Sequence, residues 1–188
     1  MTPGFDSPVL GAQSSFRAML LALSHPGRII RLADLPAAPA PLQPAAGAAA
    51  LALCDADTGL WHDAGERAAA WLRFHTGAPE VLLHEARFAI ATGTPPALVR
   101  LCLGSDEAPQ DGATLLLQVE ALEAAPGWRL TGPGILDETA LRVAGLPPGF
   151  VAERAALAGL FPRGIDIILC AGALIAGLPR TTRIEEQG

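Results

Sequence analysis

The chain has no lysine: all 13 of its basic residues are arginines, set against 19 acids for a formal net charge of −6. That removes the Schiff-base lysine of imine-forming enzymes and the lysine of a P-loop. Tyrosine is absent as well, and with it a common acid/base side chain. Cysteine is scarce. Cys54, Cys102 and Cys170 stand far apart among apolar neighbours, so they suit neither a disulfide framework nor a paired metal knuckle and read as buried small hydrophobes. The longest apolar runs, Ala45–Cys54 and Ile167–Leu178, fall short of the roughly 20 residues of a membrane-spanning helix. Met1-Thr2-Pro3-Gly4-Phe5-Asp6 lacks the basic and apolar segments of a secretory signal, so a cytoplasmic location is expected. An acidic chain without a basic cluster is a poor partner for nucleic acid or anionic lipid. No P-loop, HExxH or GxSxG motif and no paired metal-ligand spacing is present.

What is there is apolar and regularly patterned. The 188 residues, 51% of them hydrophobic, suit one domain spanning residues 1–188. A first helix reads from Ser14, with Phe16, Met19, Leu20 and Leu23 as its apolar stripe, and His25-Pro26-Gly27 stops it. Arg28–Leu32 reads as a strand, and Pro44 opens a helix that runs to about Cys54. A strand carries Leu60 and Trp61, and a third helix from Glu66 places Ala68, Trp71, Leu72 and His75 on one face. Further on come a strand at Arg87–Ala91, a helix opened by Pro95-Pro96, and a strand at Ala113–Leu122 whose Leu115-Leu116-Leu117 run marks a central position covered on both faces. Trp128–Thr131 reads as an antiparallel return across Pro126-Gly127. Pro148–Leu160 is helical, and Ile165–Cys170 with Ala173–Leu178 forms a hairpin. The alternation predicts an α/β fold, a three-layer α/β/α sandwich with a mixed sheet.

Candidate chemistry is thin. Thr131-Gly132-Pro133-Gly134 reads as a structural turn, because the proline removes a donor and no GxGxxG is completed. His25, His62, His75 and His84 are isolated in sequence. Arg73 and His75, beside Thr76 at a helix end, could bind a phosphate or phosphonate but serve equally as C-terminal dipole partners. Asp166 is the most informative residue. A carboxylate one place into Ile165–Leu169 requires an arginine and further hydrogen bonds, with Arg17, Arg163 and Arg180 as candidates. Arg180, Thr181, Thr182 and Arg183 form a short extended stretch suited to an anion or an acidic partner loop.

Seven blocks occur in order: Ala12–Arg17, Ser24–Gly27, Leu72–Pro79, Gly112–Leu115, Leu130–Ile135, Phe161–Asp166 and Leu178–Thr182. This series resembles the PhnH family, the H subunit of the bacterial carbon–phosphorus lyase system, from about Gln13 to Ile184. The resemblance implies a fold like that of pyridoxal-phosphate-dependent transferases but without the cofactor, homodimer formation, and membership of a core assembly with the G, I and J subunits. It further implies an accessory, structural role, with the G, I and L subunits, in replacing the adenine of ATP by a phosphonate to give a ribose 1-methylphosphonate 5-triphosphate. Carbon–phosphorus cleavage at an iron–sulfur cluster belongs to the J subunit, and three scattered cysteines could not hold such a cluster. The family carries over no catalytic residue. The matching positions Arg17, Arg73, His75, Asp166, Arg180 and Thr181 are candidate anion-binding or interface residues. The alternative role is a subunit that contributes an arginine-rich site for phosphonate or the phosphates of ATP.

Overall fold

The computed structural model of the chain describes residues 2–187. Strands β1 (Ile29–Arg31), β2 (Leu60–His62), β3 (Phe88–Ala91), β4 (Thr114–Gln118), β7 (Asp166–Ala171) and β8 (Leu174–Leu178) form the central sheet, in the spatial order β1-β8-β7-β4-β3-β2. β2, β3, β4 and β7 are parallel neighbours, while β8 runs antiparallel to both β7 and β1. The sheet is therefore mixed, and β4 and β7 lie at its centre. Leu115, Leu116 and Leu117 are fully buried because successive strand side chains enter opposite cores. Leu116 joins Ile90 and Ile168 on one face, and Leu115 and Leu117 join Ile167 and Leu169 on the other.

The two faces are covered differently. Helices α1 (Pro8–Ser24), α2 (Pro44–Leu53) and α3 (Gly65–Thr76) pack on the first. The second is covered by an antiparallel sheet of β5 (Ala121–Thr131), β6 (Thr139–Ala144) and β9 (Arg183–Glu186), joined by the short helix α4 (Phe150–Ala156). The expected α/β/α layering thus holds on one face only. On the other, Leu122, Trp128, Leu130 and Leu141 supply from strands the apolar cover that helices were expected to give. Trp128 stacks on Phe150 with ring centroids 6.1 Å apart, which fixes α4 against β5.

Three local expectations are corrected. Pro126-Gly127 does not reverse the chain: β5 continues through it, and the register against β6 shifts between Glu123 and Trp128, so the pair marks a bulge. Pro95-Pro96 opens no α-helix; a single 3-10 turn, Leu98–Arg100, follows instead. Helix α1 begins at Pro8, with no side-chain cap bond from Ser7, because proline in the first turn is already set in helical φ and has no N–H to satisfy.

The apolar stripe of α1 is buried only in part: Met19 and Leu23 pack on the core, but the other half faces outward. Phe16 and Leu20 are 43% and 49% exposed, while Gly11, Ser15, Met19 and Ala22 are buried. Small residues let α1 approach β8 backbone to backbone. A Cβ added at Gly177 would lie 2.5 Å from the carbonyl oxygen of Ala22, and neither main chain can yield cheaply. Gly177→Ala should lower stability by roughly 2 kcal/mol, the cost of overpacking. Gly159→Ala, whose added Cβ meets nothing within 4 Å, should change it little, and thermal melts of the two variants check the contrast.

Candidate functional site

Asp166 starts β7 and Arg180 follows the end of β8, so the antiparallel pairing of these strands brings the two together. The carboxylate accepts from the Arg180 backbone N–H at 2.8 Å, from Nε at 3.3 Å and from Nη2 at 2.8 Å. This is a two-pronged guanidinium–carboxylate pair with a third, main-chain bond, stronger and more directional than a lysine contact. Arg180 is the partner that Asp166 required. Arg163 instead lies 3.1 Å from Asp106, and Arg17 is exposed on α1.

Arg180 Nη1 also donates to the carbonyl oxygens of Pro109 at 2.6 Å and Pro162 at 3.3 Å. Nε, Nη2 and both Nη1 bonds together engage four of the five guanidinium N–H groups. The side chain thereby ties two loops to the sheet and leaves one donor for any ligand. Gly112 makes room for it, since a Cβ there would lie 3.1 Å from both Nη atoms.

Arg73 and His75 belong to the helical layer. Arg73 is exposed in the last turn of α3, ahead of the left-handed Gly77 that caps the helix. His75 is half-buried, its ring 4.8 Å from that of Trp71, with Nε2 3.2 Å from the carbonyl oxygen of Thr2. The six candidates therefore do not converge. Asp166, Arg180 and Thr181 gather at one end of the central sheet, while Arg17, Arg73 and His75 lie on α1 and α3.

Beside the gathered group, a cavity of about 500 Å³ opens between α4 and β9, lined by Arg180, Thr181 and Arg183 together with Arg154 and Thr182. Arg154 was not singled out from the sequence. It is only 3% exposed. Its Nη2 donates to the carbonyl oxygen of Pro179 at 2.6 Å, while its buried Nε has no hydrogen-bond partner. Burial pulls its pKa down from the ordinary arginine value, Asp166 opposes that shift and Arg180 adds to it. The residue stays charged. Thr182 is 4% exposed, and its Oγ1 likewise lacks a partner. A sequence signal for Arg154 did exist: it falls four residues after Phe150 and three before Leu157, both buried, so it shares their helical face.

Among the described residues, no group of three or more His, Cys, Asp or Glu side chains is placed to hold a metal ion, and no helix is long and apolar enough to cross a membrane. Fold and site together define a mixed α/β protein with an arginine-lined cavity between α4 and β9. Residues 3–185 match the family described as bacterial phosphonate metabolism protein (PhnH), and the chain belongs to that family. It is 40% identical over 189 residues to the alpha-D-ribose 1-methylphosphonate 5-triphosphate synthase subunit PhnH of Rhizobium meliloti (strain 1021), covering 97% of this chain and 94% of that one. It is 36% identical over 177 residues to a protein of Stutzerimonas stutzeri named "Putative C-P lyase subunit protein HtxG", covering 94% and 87% of the two chains.

Proposed function

We propose that this chain is a cytoplasmic, cofactor-free structural subunit of the assembly that makes alpha-D-ribose 1-methylphosphonate 5-triphosphate. The similarity to the Rhizobium meliloti subunit along nearly the full length of both chains carries the reading. In it the chain works with the G, I and L subunits in exchanging the adenine of ATP for a phosphonate, sits in a core with G, I and J, and pairs with a second copy of itself. Its fold is taken as that of the pyridoxal-phosphate transferases without their chemistry, since no lysine exists to form the imine. The surface of α1 supports a role in contacts between proteins. Val9, Leu10, Phe16 and Leu20 are 78%, 64%, 43% and 49% exposed, and large apolar residues clustered on one exposed element mark interaction surfaces.

Reconstitution of the assembly with and without this chain tests the proposal, followed by complex mass and by adenine released from ATP. Omission is expected to lower the mass and to cut adenine release to near background. Full release and an unchanged core without it would overturn the subunit reading. Turnover by the purified chain alone would overturn the structural role.

A further inference from the structure

We infer that the cavity between α4 and β9 is an oxyanion site, in which Arg154 and Thr182 hold the phosphate or phosphonate group of a small organic ligand. The inference stands on the geometry of the cavity and does not depend on the subunit role.

Charge is the first ground. Asp166 and Arg180 both act electrostatically on Arg154, yet Asp166 is bound to Arg180 by both oxygens. Two guanidinium groups thus share one carboxylate, and the more buried of them, Arg154, is the one without it. An uncompensated buried cation calls for a counter-charge. Glu185 also lines the cavity, but its carboxylate is engaged by Arg129. Arg183, exposed where β9 begins, adds a third arginine to the lining.

Unmade hydrogen bonds are the second ground. A buried polar atom left without a partner costs roughly 1–3 kcal/mol, and here two such atoms, Arg154 Nε and Thr182 Oγ1, belong to side chains lining the same cavity. The acceptor that the two residues share is already taken: the carbonyl oxygen of Pro179 receives both Arg154 Nη2, at 2.6 Å, and the Thr182 backbone N–H, at 2.9 Å. A guanidinium and a hydroxyl lining one cavity suit a tetrahedral oxyanion, which accepts from several directions at once. The lining also includes apolar residues, among them Ala158 and Phe161. With about 500 Å³ available, there is space for an organic substituent beyond the anionic head.

The full chain is titrated by calorimetry with inorganic phosphate, methylphosphonate and ATP at matched ionic strength, each also in competition with sulfate. Binding in the millimolar range or tighter is expected for at least one probe. A response to methylphosphonate alone identifies a phosphonate head, and a response to ATP alone identifies a nucleotide phosphate. Thr182→Val keeps the shape of the side chain and should weaken binding about tenfold, the worth of one bond to a charged group. Arg154→Met should abolish it; should that variant fail to fold, Thr182→Val decides. No binding by any probe into the tens of millimolar, or equal binding by wild type and Thr182→Val, overturns the inference.

Discussion

Asp166→Ala should lower the unfolding free energy by roughly 3 kcal/mol, and by more than Arg180→Ala does. Breaking a buried ion pair from one side typically costs about 3–5 kcal/mol. The lower end applies because the Asp166 and Arg180 side chains are 27% and 15% exposed, so solvent screens part of the interaction. The asymmetry comes from Arg154. Removing Arg180 leaves Asp166 with Arg154 nearby and with the main-chain N–H of residue 180 still donating. Removing Asp166 leaves Arg180 without its carboxylate and Arg154 with only the like charge of Arg180. Urea unfolding of both single variants and the double variant gives the coupling directly, expected at about 1–3 kcal/mol. A loss below about 0.5 kcal/mol for Asp166→Ala, the range of an ordinary surface change, would show that the pair does not brace the sheet.

The need for that pair was legible in the sequence, because a carboxylate inside an apolar strand has few stable solutions. Which arginine answers it was not. Arg163 is nearer along the chain, but the β7–β8 hairpin carries Arg180 back to the start of β7, and pairing across a hairpin is a property of register rather than of sequence distance. The central strands were legible for a similar reason: uninterrupted apolar runs leave room for little besides a doubly covered sheet. The second layer was hidden because Pro126-Gly127 has turn composition while sitting in a bulge, so one long strand looked like two short ones and β6 went unassigned. Arg154 was obscured by its setting. Its spacing from Phe150 and Leu157 places it on the apolar face of a short helix, but what that face meets is β9, which returns from the far end of the chain to pack on α4, and no local periodicity announces that return.

The missing lysine and tyrosine also make the alkaline behaviour of the fold simple to interpret. Burial pushes the thiols of Cys54 and Cys170 up from the ordinary 9.0 to about 12, with the charge of Asp55 adding to the effect at Cys54. Between those limits the folded chain keeps two protons that the unfolded chain has released. Unfolding is then favoured as pH rises: each thiol lowers stability by about 1.4 kcal/mol per pH unit, and the two together by about 3 kcal/mol per unit. Below pH 9 the thiols are protonated in both states and contribute no slope. In most proteins lysines and tyrosines titrate in the same window and mask such a term, but this chain has neither. Urea midpoints measured under reducing conditions from about pH 8 to 11 should therefore be flat at first and then fall steeply. The Cys54→Ala/Cys170→Ala variant should begin lower, because two small cavities are opened, yet keep a shallower slope throughout. Parallel curves for the two proteins would mean that the thiols are not what limits the fold at high pH.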